Sequence, residues 1–357
     1  MTTPSTGRSS QRRRPLTTAQ PPHAEPLVIT ASPHLKGRDT TTRIMWTVVA
    51  TLMPIVAASI FFFGPSALLV ILASMLGALL VEHSLGKGGT LRDGSAAITG
   101  LLLGLTLPAG IPMWMAALGG AFAIGFGKLI FGGLGFNAFN PALLGRGFLQ
   151  AAFPTALTTW PKVGGSWWAL RGDTFALPLM HPREAVAVTS ATPLGLMKFE
   201  ATGTPLGDLV LGTTGGSLGE TAALLILLCG AYLALKRYLD WRIPVSVLGT
   251  VAAFAALLHL GNAQRYPSAA FMVFSGGLVL GAVYMATDPV TAPVTKPGRW
   301  AFGIGIGVLV VVIRTWGGLP EGVMYAILLM NALVPFINRV TRPRVFGAAS
   351  TVLKVRS

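Results

Sequence analysis

Apolar residues along the chain collect into long blocks separated by short polar stretches. Ten such runs follow one another: Ile44–Phe63, Ala67–Val81, Ala96–Leu107, Met113–Phe131, Ala138–Phe153, Thr221–Leu235, Val245–Leu260, Ala269–Ala286, Trp300–Ile313 and Val323–Ile337. A full membrane span needs about 20 predominantly apolar residues. The longest runs therefore predict crossing helices, and the shorter ones predict tilted, buried or broken helices. The order is five runs, a long interruption over 154–218, and five more. This pattern predicts an all-α polytopic membrane protein with about ten transmembrane helices.

Two runs look interrupted by design. Ala96–Leu107 opens behind Asp93-Gly94-Ser95 and closes at Pro108, while Ala269–Ala286 follows Pro267 and runs into Asp288-Pro289. Each is the third run of its half. Short, Gly/Pro-interrupted segments at matching positions of two halves are a signature of inverted repeats that meet at a midplane site. With five crossings per half, the second half enters from the opposite side.

Composition sharpens the class. Of 357 residues 52% are apolar and only 11% are charged, with a mean hydropathy of +0.65. A soluble domain carries about 25% charged residues, so a soluble enzyme is excluded. The single cysteine, Cys229, sits inside an apolar run. A disulfide framework, a zinc site and a self-contained iron–sulfur site all need more thiols. No signal peptide is expected ahead of Ile44, because 43 polar-rich residues precede the first run.

The net charge of +15 is read first as a topology signal. Twenty of the 27 Lys and Arg fall on one side if every run crosses: seven up to Arg43, then Lys87, Arg92, Lys128, Lys236, Arg237, Arg242, Lys296, Arg299 and five in the C-terminal tail. The other side receives Asp173, Glu184, Glu200, Asp208, Glu220 and Glu321. The positive-inside rule then puts both termini in the cytoplasm and 154–218 outside it. A basic tail beside a first span is a topology determinant before it is a nucleic-acid arm, and no nucleic-acid partner is expected. The expected organisation is a cytoplasmic, largely disordered tail (1–43), a first membrane repeat (44–153), an extracytoplasmic segment (154–218), a second repeat (219–338) and a cytoplasmic basic tail (339–357).

Three segments are unusual for lipid-facing sequence: Asp93 to Pro108, Gly132 to Ala142 with Asn137 and Asn140, and Met285 to Pro293 with Asp288. Polar groups at membrane depth must line a cavity or find partners, since an unpaired one costs several kcal/mol, roughly. Two amides at i, i+3 offer donors and acceptors on one face, suited to a flat heterocycle. Helix-to-helix hydrogen bonding is the alternative use of the same pair. Between the repeats lies Val188-Thr189-Ser190-Ala191-Thr192-Pro193-Leu194, by itself a Ser/Thr-rich turn.

These three segments, with Arg314-Thr315-Trp316-Gly317-Gly318-Leu319-Pro320-Glu321-Gly322-Val323 and Leu328-Leu329-Met330-Asn331-Ala332-Leu333-Val334-Pro335, resemble one family in its own motif order. It is the RnfD/NqrB family, which supplies membrane subunits to the Rnf electron-transport complex and to the sodium-translocating NADH:quinone oxidoreductase. The resemblance runs from about Ser32 to Ile337. It implies ten helices in two inverted five-helix repeats, similar to the urea-transporter fold. It also implies covalent FMN, held as a phosphoester by the last Thr of a Ser/Thr-Gly-Ala-Thr motif, which matches Thr192. A flavin transferase reads that motif; this chain carries Ser190 where the family often has Gly. A second flavin, riboflavin, is bound noncovalently in the family near Asn-x-x-Asn-Pro, the positions of Asn137 and Asn140.

Ion coupling by Na⁺ or H⁺ needs anionic oxygen partners. The membrane-edge carboxylates Glu82 and Asp288 are the candidates, with Asp93 beside them. No dinucleotide-binding unit or cysteine cluster is present in the sequence, so NADH and ferredoxin are expected to dock on other Rnf-type subunits. The expected function is that of a flavin-carrying electron-transfer subunit in a bacterial inner membrane, not catalytic alone. The rival reading is a cofactor-free solute channel or transporter of the same fold.

Overall fold

The computed structural model describes residues 39–86, 90–161, 163–164, 166–178, 192–200, 202–220 and 223–343. The motif residues Val188 to Ala191 lie outside the described residues. All elements named below belong to Thr41–Ser357, which separates as one unit from Met1–Thr40.

Ten principal helices follow the ten apolar runs: α1 (Thr41–Phe63), α2 (Pro65–Leu85), α3 (Ser95–Thr106), α4 (Met113–Ile124), α5 (Pro141–Ala152), α6 (Ala223–Leu235), α7 (Arg242–Gly261), α8 (Ala269–Phe274), α9 (Lys296–Trp316) and α10 (Val323–Val340). Among the described residues there is no strand. Five helices, α1, α2, α7, α9 and α10, are long and apolar enough to cross a membrane. The remainder are shorter; a wide π-helical turn, Gly125–Leu129, follows α4, and another, Gly281–Met285, lies beyond the break after α8.

Local chemistry sets the boundaries. Asn140 caps α5, its Oδ1 accepting from the N–H groups of Ala142 and Leu143, with Pro141 at the first helical position. Thr295 and Ser268 cap α9 and α8 in the same way. The α1–α2 corner needs Gly64, which sits at φ 72° with its Cα against the Trp167 carbonyl. The run Ala269–Ala286, read as one interrupted segment, is broken at Ser275–Gly277, where Gly276 has φ 67°.

Packing repeats between the two groups of five. In each, the second helix lies along the fourth and against the third, and the fourth along the fifth: α2 with α4 and α3, α4 with α5, then α7 with α9 and α8, α9 with α10. The first helices of the groups, α1 and α6, meet each other, as do the fifth helices, α5 and α10. Small residues allow the close second-to-fourth contacts. A Cβ on Gly120 would collide with the Ser74 carbonyl, one on Gly77 with Ala117, and one on Gly303 with the Ser246 hydroxyl.

The connections sort to two ends of the bundle. At one end, residues 171–174 lie over the α1–α2 and α3–α4 corners. Arg171 donates to the Phe63 carbonyl at 2.8 Å and Met113 N–H to Thr174 O at 3.0 Å. The opposite end carries Arg43, Arg92, Lys128, Lys236, Arg242, Lys296 and Arg339.

Candidate functional site

At the end that carries these basic residues, a cavity of about 120 Å³ lies between the two helix groups, lined by Lys128, Asn137, Asn140, Tyr284 and Asp288. It forms where the Gly-rich stretch before α5 meets the turn that follows Gly281–Met285. Asn140 is used on both sides: its Oδ1 caps α5, and its Nδ2 donates to the Met285 carbonyl at 3.1 Å, tying the two groups together. Asn137 donates to Phe139 O at 3.2 Å and to Asp288 Oδ2 at 3.5 Å. Asp288 closes its own turn, accepting from Val290 N–H at 3.1 Å and Thr291 Oγ1 at 3.2 Å. Asn137 and Asn140 thus meet Asp288, 151 residues beyond Asn137, at one place.

Glu82 stands beside this cavity rather than in it. Its carboxylate is buried at the end of α2 and accepts from Lys128 Nζ at 2.8 Å, while its Oε2 is sealed with no partner among the described residues. Lys128 also donates to Ser95 Oγ at 2.7 Å and lies 3.7 Å from Asp93. From the sequence, Lys128 reads only as a loop charge. A cation closing an apolar run asks for an internal partner, and that is the signal the sequence offers for this residue.

Thr192 lies at the opposite end. It is 6% exposed and caps a helical turn, Pro193–Gly195, its Oγ1 accepting from Gly195 N–H at 3.1 Å. The segment is pinned by Lys198, whose ammonium donates to the carbonyls of Arg314 (3.0 Å), Gly317 (2.5 Å) and Leu319 (3.0 Å). Leu194 packs with Leu209 and Phe271. Next to it is a cavity of about 210 Å³ whose walls include Lys198, Arg265, Tyr266, Phe271 and Trp316. The Tyr266 and Trp316 rings stand edge to face at 6.3 Å, and the Arg265 guanidinium lies 5.6 Å over Tyr266.

This lining offers Arg265 for a phosphate and aromatic walls for a ring, with the Thr192 hydroxyl two residues before the lining residue Leu194. Asn137 and Asp288 present polar atoms to the other cavity, whereas the Asn140 amide is already committed to protein partners. Among the described residues, no three His, Cys, Asp or Glu side chains converge as metal ligands. Arg146, which its apolar run does not single out, is buried and donates to the Thr106 carbonyl and, across the groups, to Glu321.

Residues 28–347 match the model of the NQR2, RnfD, RnfE family. The chain is 43% identical over 334 residues to the D subunit of an ion-translocating oxidoreductase complex of Stutzerimonas stutzeri, covering 87% of this chain and 93% of that one. It is 40% identical over 333 residues (89% and 96% of the two chains) to the D subunit of a proton-translocating ferredoxin:NAD(+) oxidoreductase complex of Clostridium ljungdahlii. A sodium-translocating counterpart from Acetobacterium woodii is 38% identical over 329 residues, 90% and 95% of the two. With matches of this identity running along nearly the whole chain, the protein belongs to the NQR2, RnfD, RnfE family, alongside the D subunits of Rnf complexes.

Proposed function

We propose that this chain is the flavin-carrying membrane subunit of an ion-translocating Rnf-type electron-transport complex. In this reading it passes electrons between ferredoxin- and NADH-side partner subunits, and the transfer is coupled to movement of Na⁺ or H⁺. The relatives' names supply the complex and the ion translocation. The observation that carries the flavin assignment is the position of Thr192: a hydroxyl held on a short turn, beside a cavity walled by basic and aromatic side chains.

FMN bound there would supply one- and two-electron chemistry. The chain's own residues do the rest. Thr192 provides the ester oxygen, which neither Ala nor Val could. Lys198 fixes the turn to the end of α9, and Arg265 offers positive charge for a phosphate. At the other end, Asn137 is placed to hydrogen-bond riboflavin, with Asn140 fixing the wall behind it. Asp288 and Glu82 are the anionic oxygens for the coupling ion. Relatives named for protons and for sodium are nearly equally similar to this chain, so the carboxylates, not the likeness, define the ion chemistry.

The short α3, α6 and broken α8 complete ten crossings in this reading, as two inverted five-helix repeats of urea-transporter type. Both termini then lie in the cytoplasm of a bacterial inner membrane, and a flavin transferase loads Thr192 from the other side. The matched pairings of the two helix groups support the repeat. Denaturing electrophoresis with in-gel flavin fluorescence tests the function, because only covalent flavin survives it. A fluorescent band that Thr192→Val abolishes, with the protein still inserted, is expected. A dark wild-type band, after expression with a flavin transferase, favours the cofactor-free transporter instead.

A further inference from the structure

A third polar cavity, of about 80 Å³, lies between the helix groups at the end that carries Thr192, apart from both flavin sites. Its floor is built from interrupted helices of both groups. Leu218 N–H donates to Leu107 O at 3.1 Å and Gly219 N–H to Leu105 O, holding the residues before α6 against the end of α3. From the other side comes the α8 break, where Gly277 lies against Glu220: a Cβ there would stand 3.6 Å from Oε1, in ordinary contact. Glu220, Arg146 and Glu321 all line the space.

The charges do not pair off. Arg146, on α5, donates to the Thr106 carbonyl and to Glu321 Oε2. Arg314, on α9, donates to the carbonyls of Met272 (2.5 Å) and Ser275 (2.9 Å), while its Nε is buried without a partner among the described residues and its charge acts on Glu321 and Glu220. Ser217 hydrogen-bonds the Glu220 carboxylate. Glu220 Oε1 and Glu321 Oε1 remain sealed from solvent without a hydrogen-bond partner among the described residues. A sealed carboxylate oxygen without a donor is costly as an anion and acceptable as an acid. Burial and the charge of Glu321 favour the neutral form of Glu220, against the opposing field of Arg146. Tyr325, on α10, is the remaining titratable wall residue.

We infer that Glu220 is a proton-holding carboxyl at the Thr192 end of the bundle, with Arg146 and Glu321 as the pair that sets when it lets go. A sodium ion is the poorer occupant, since the Arg146 guanidinium already sets a positive charge in the cavity wall beside the carboxylates. In the transfer, the Glu220 O–H bond breaks, its electron pair stays on the carboxylate, and the proton passes to a water in the cavity. Arg146 balances the charge left behind. The inference rests on the reading of the chain as an ion-translocating subunit and gives that reading a release-side proton group.

Carbodiimide labelling tests it without relying on turnover, because dicyclohexylcarbodiimide adds to protonated carboxyls in apolar surroundings. In the purified complex, mapped by peptide mass spectrometry, Glu220 is expected to label at low pH and to lose label as pH rises. Added NaCl at fixed pH should leave this unchanged. Glu321→Gln removes the like charge and frees Arg146, so labelling at neutral pH should fall several-fold; Glu220→Gln should abolish it. Glu220 unlabelled at every pH, labelled equally at every pH, or indifferent to Glu321→Gln overturns the inference. Protection by Na⁺ overturns it in favour of a sodium site. Flavin fluorescence of the same preparations reads the proposed function separately: label without covalent flavin refutes that reading alone, and covalent flavin without label refutes this inference alone.

Discussion

Replacing Lys128 with Met keeps most of the side-chain volume and removes one charge from a buried site. The lysine side chain is 3% exposed and that of Glu82 is fully buried. The substitution leaves Glu82 with neither oxygen bonded, since Oε2 already has no partner, and it withdraws the donor from Ser95 Oγ. Breaking a buried pair from one side costs about 3–5 kcal/mol. At roughly 2–4 °C per kcal/mol for a large domain, the melting midpoint in detergent should fall by about 10 °C. Trp fluorescence reports the melt. The double variant Lys128→Met with Glu82→Gln removes the orphaned charge as well, and it should recover at least half of the loss. Asp93, at 19% side-chain exposure, keeps its bonds from Ser95 N–H (2.8 Å) and Oγ (2.7 Å) without the lysine. A single variant that melts within about 2 °C of wild type, or a double variant no more stable than the single, would refute the buried ion pair as a structural necessity.

Further outcomes follow from the two ends of the bundle and the contacts between helices. Asn137→Leu should lower riboflavin in the purified complex, a lost bond costing roughly 1–3 kcal/mol, and leave Thr192-linked FMN intact; full riboflavin would make the amide a helix-to-helix tie. Asp288→Asn keeps shape and both flavins and should impair ion-dependent turnover; untouched turnover would leave Asp288 as the closure of a turn. A reporter active only in the periplasm should work when fused after Gly172 and fail after Arg344, and the reverse pattern would invert the topology. Gly120→Leu should prevent stable α2–α4 packing, seen as loss of folded protein in mild detergent, because its Cβ alone meets the Ser74 carbonyl.

Much of this architecture is legible as ten blocks of apolar residues, because a lipid solvent makes block length a direct reading of helix position. Turn chemistry is legible too: Asn140-Pro141 and Thr295-Lys296-Pro297 start α5 and α9 where a cap followed by proline should. What hydropathy does not show is where a helix widens or stops within an apolar run. Gly125–Leu129, Ser275–Gly277 and Gly281–Met285 lie inside apolar runs and differ from their neighbours in backbone. Partners are the other blind spot. A buried charge announces that it needs one, but Lys128 finds Glu82 46 residues away and Arg146 finds Glu321 175 residues away. Such separations follow from the tertiary arrangement of the two helix groups and leave no local pattern. Asn137, Asn140 and Asp288 stand out because Gly and Pro surround them; Glu220 and Arg146 also have glycine neighbours, but nothing local shows that they meet.

The central claim, a flavin carried on this chain, is tested most directly by peptide mapping of the wild-type complex isolated from cells that possess the flavin transferase. The account predicts one flavin-bearing peptide, containing Thr192, with fragmentation placing FMN on that hydroxyl. A Thr192 peptide recovered only unmodified, or FMN found on another residue, would contradict it.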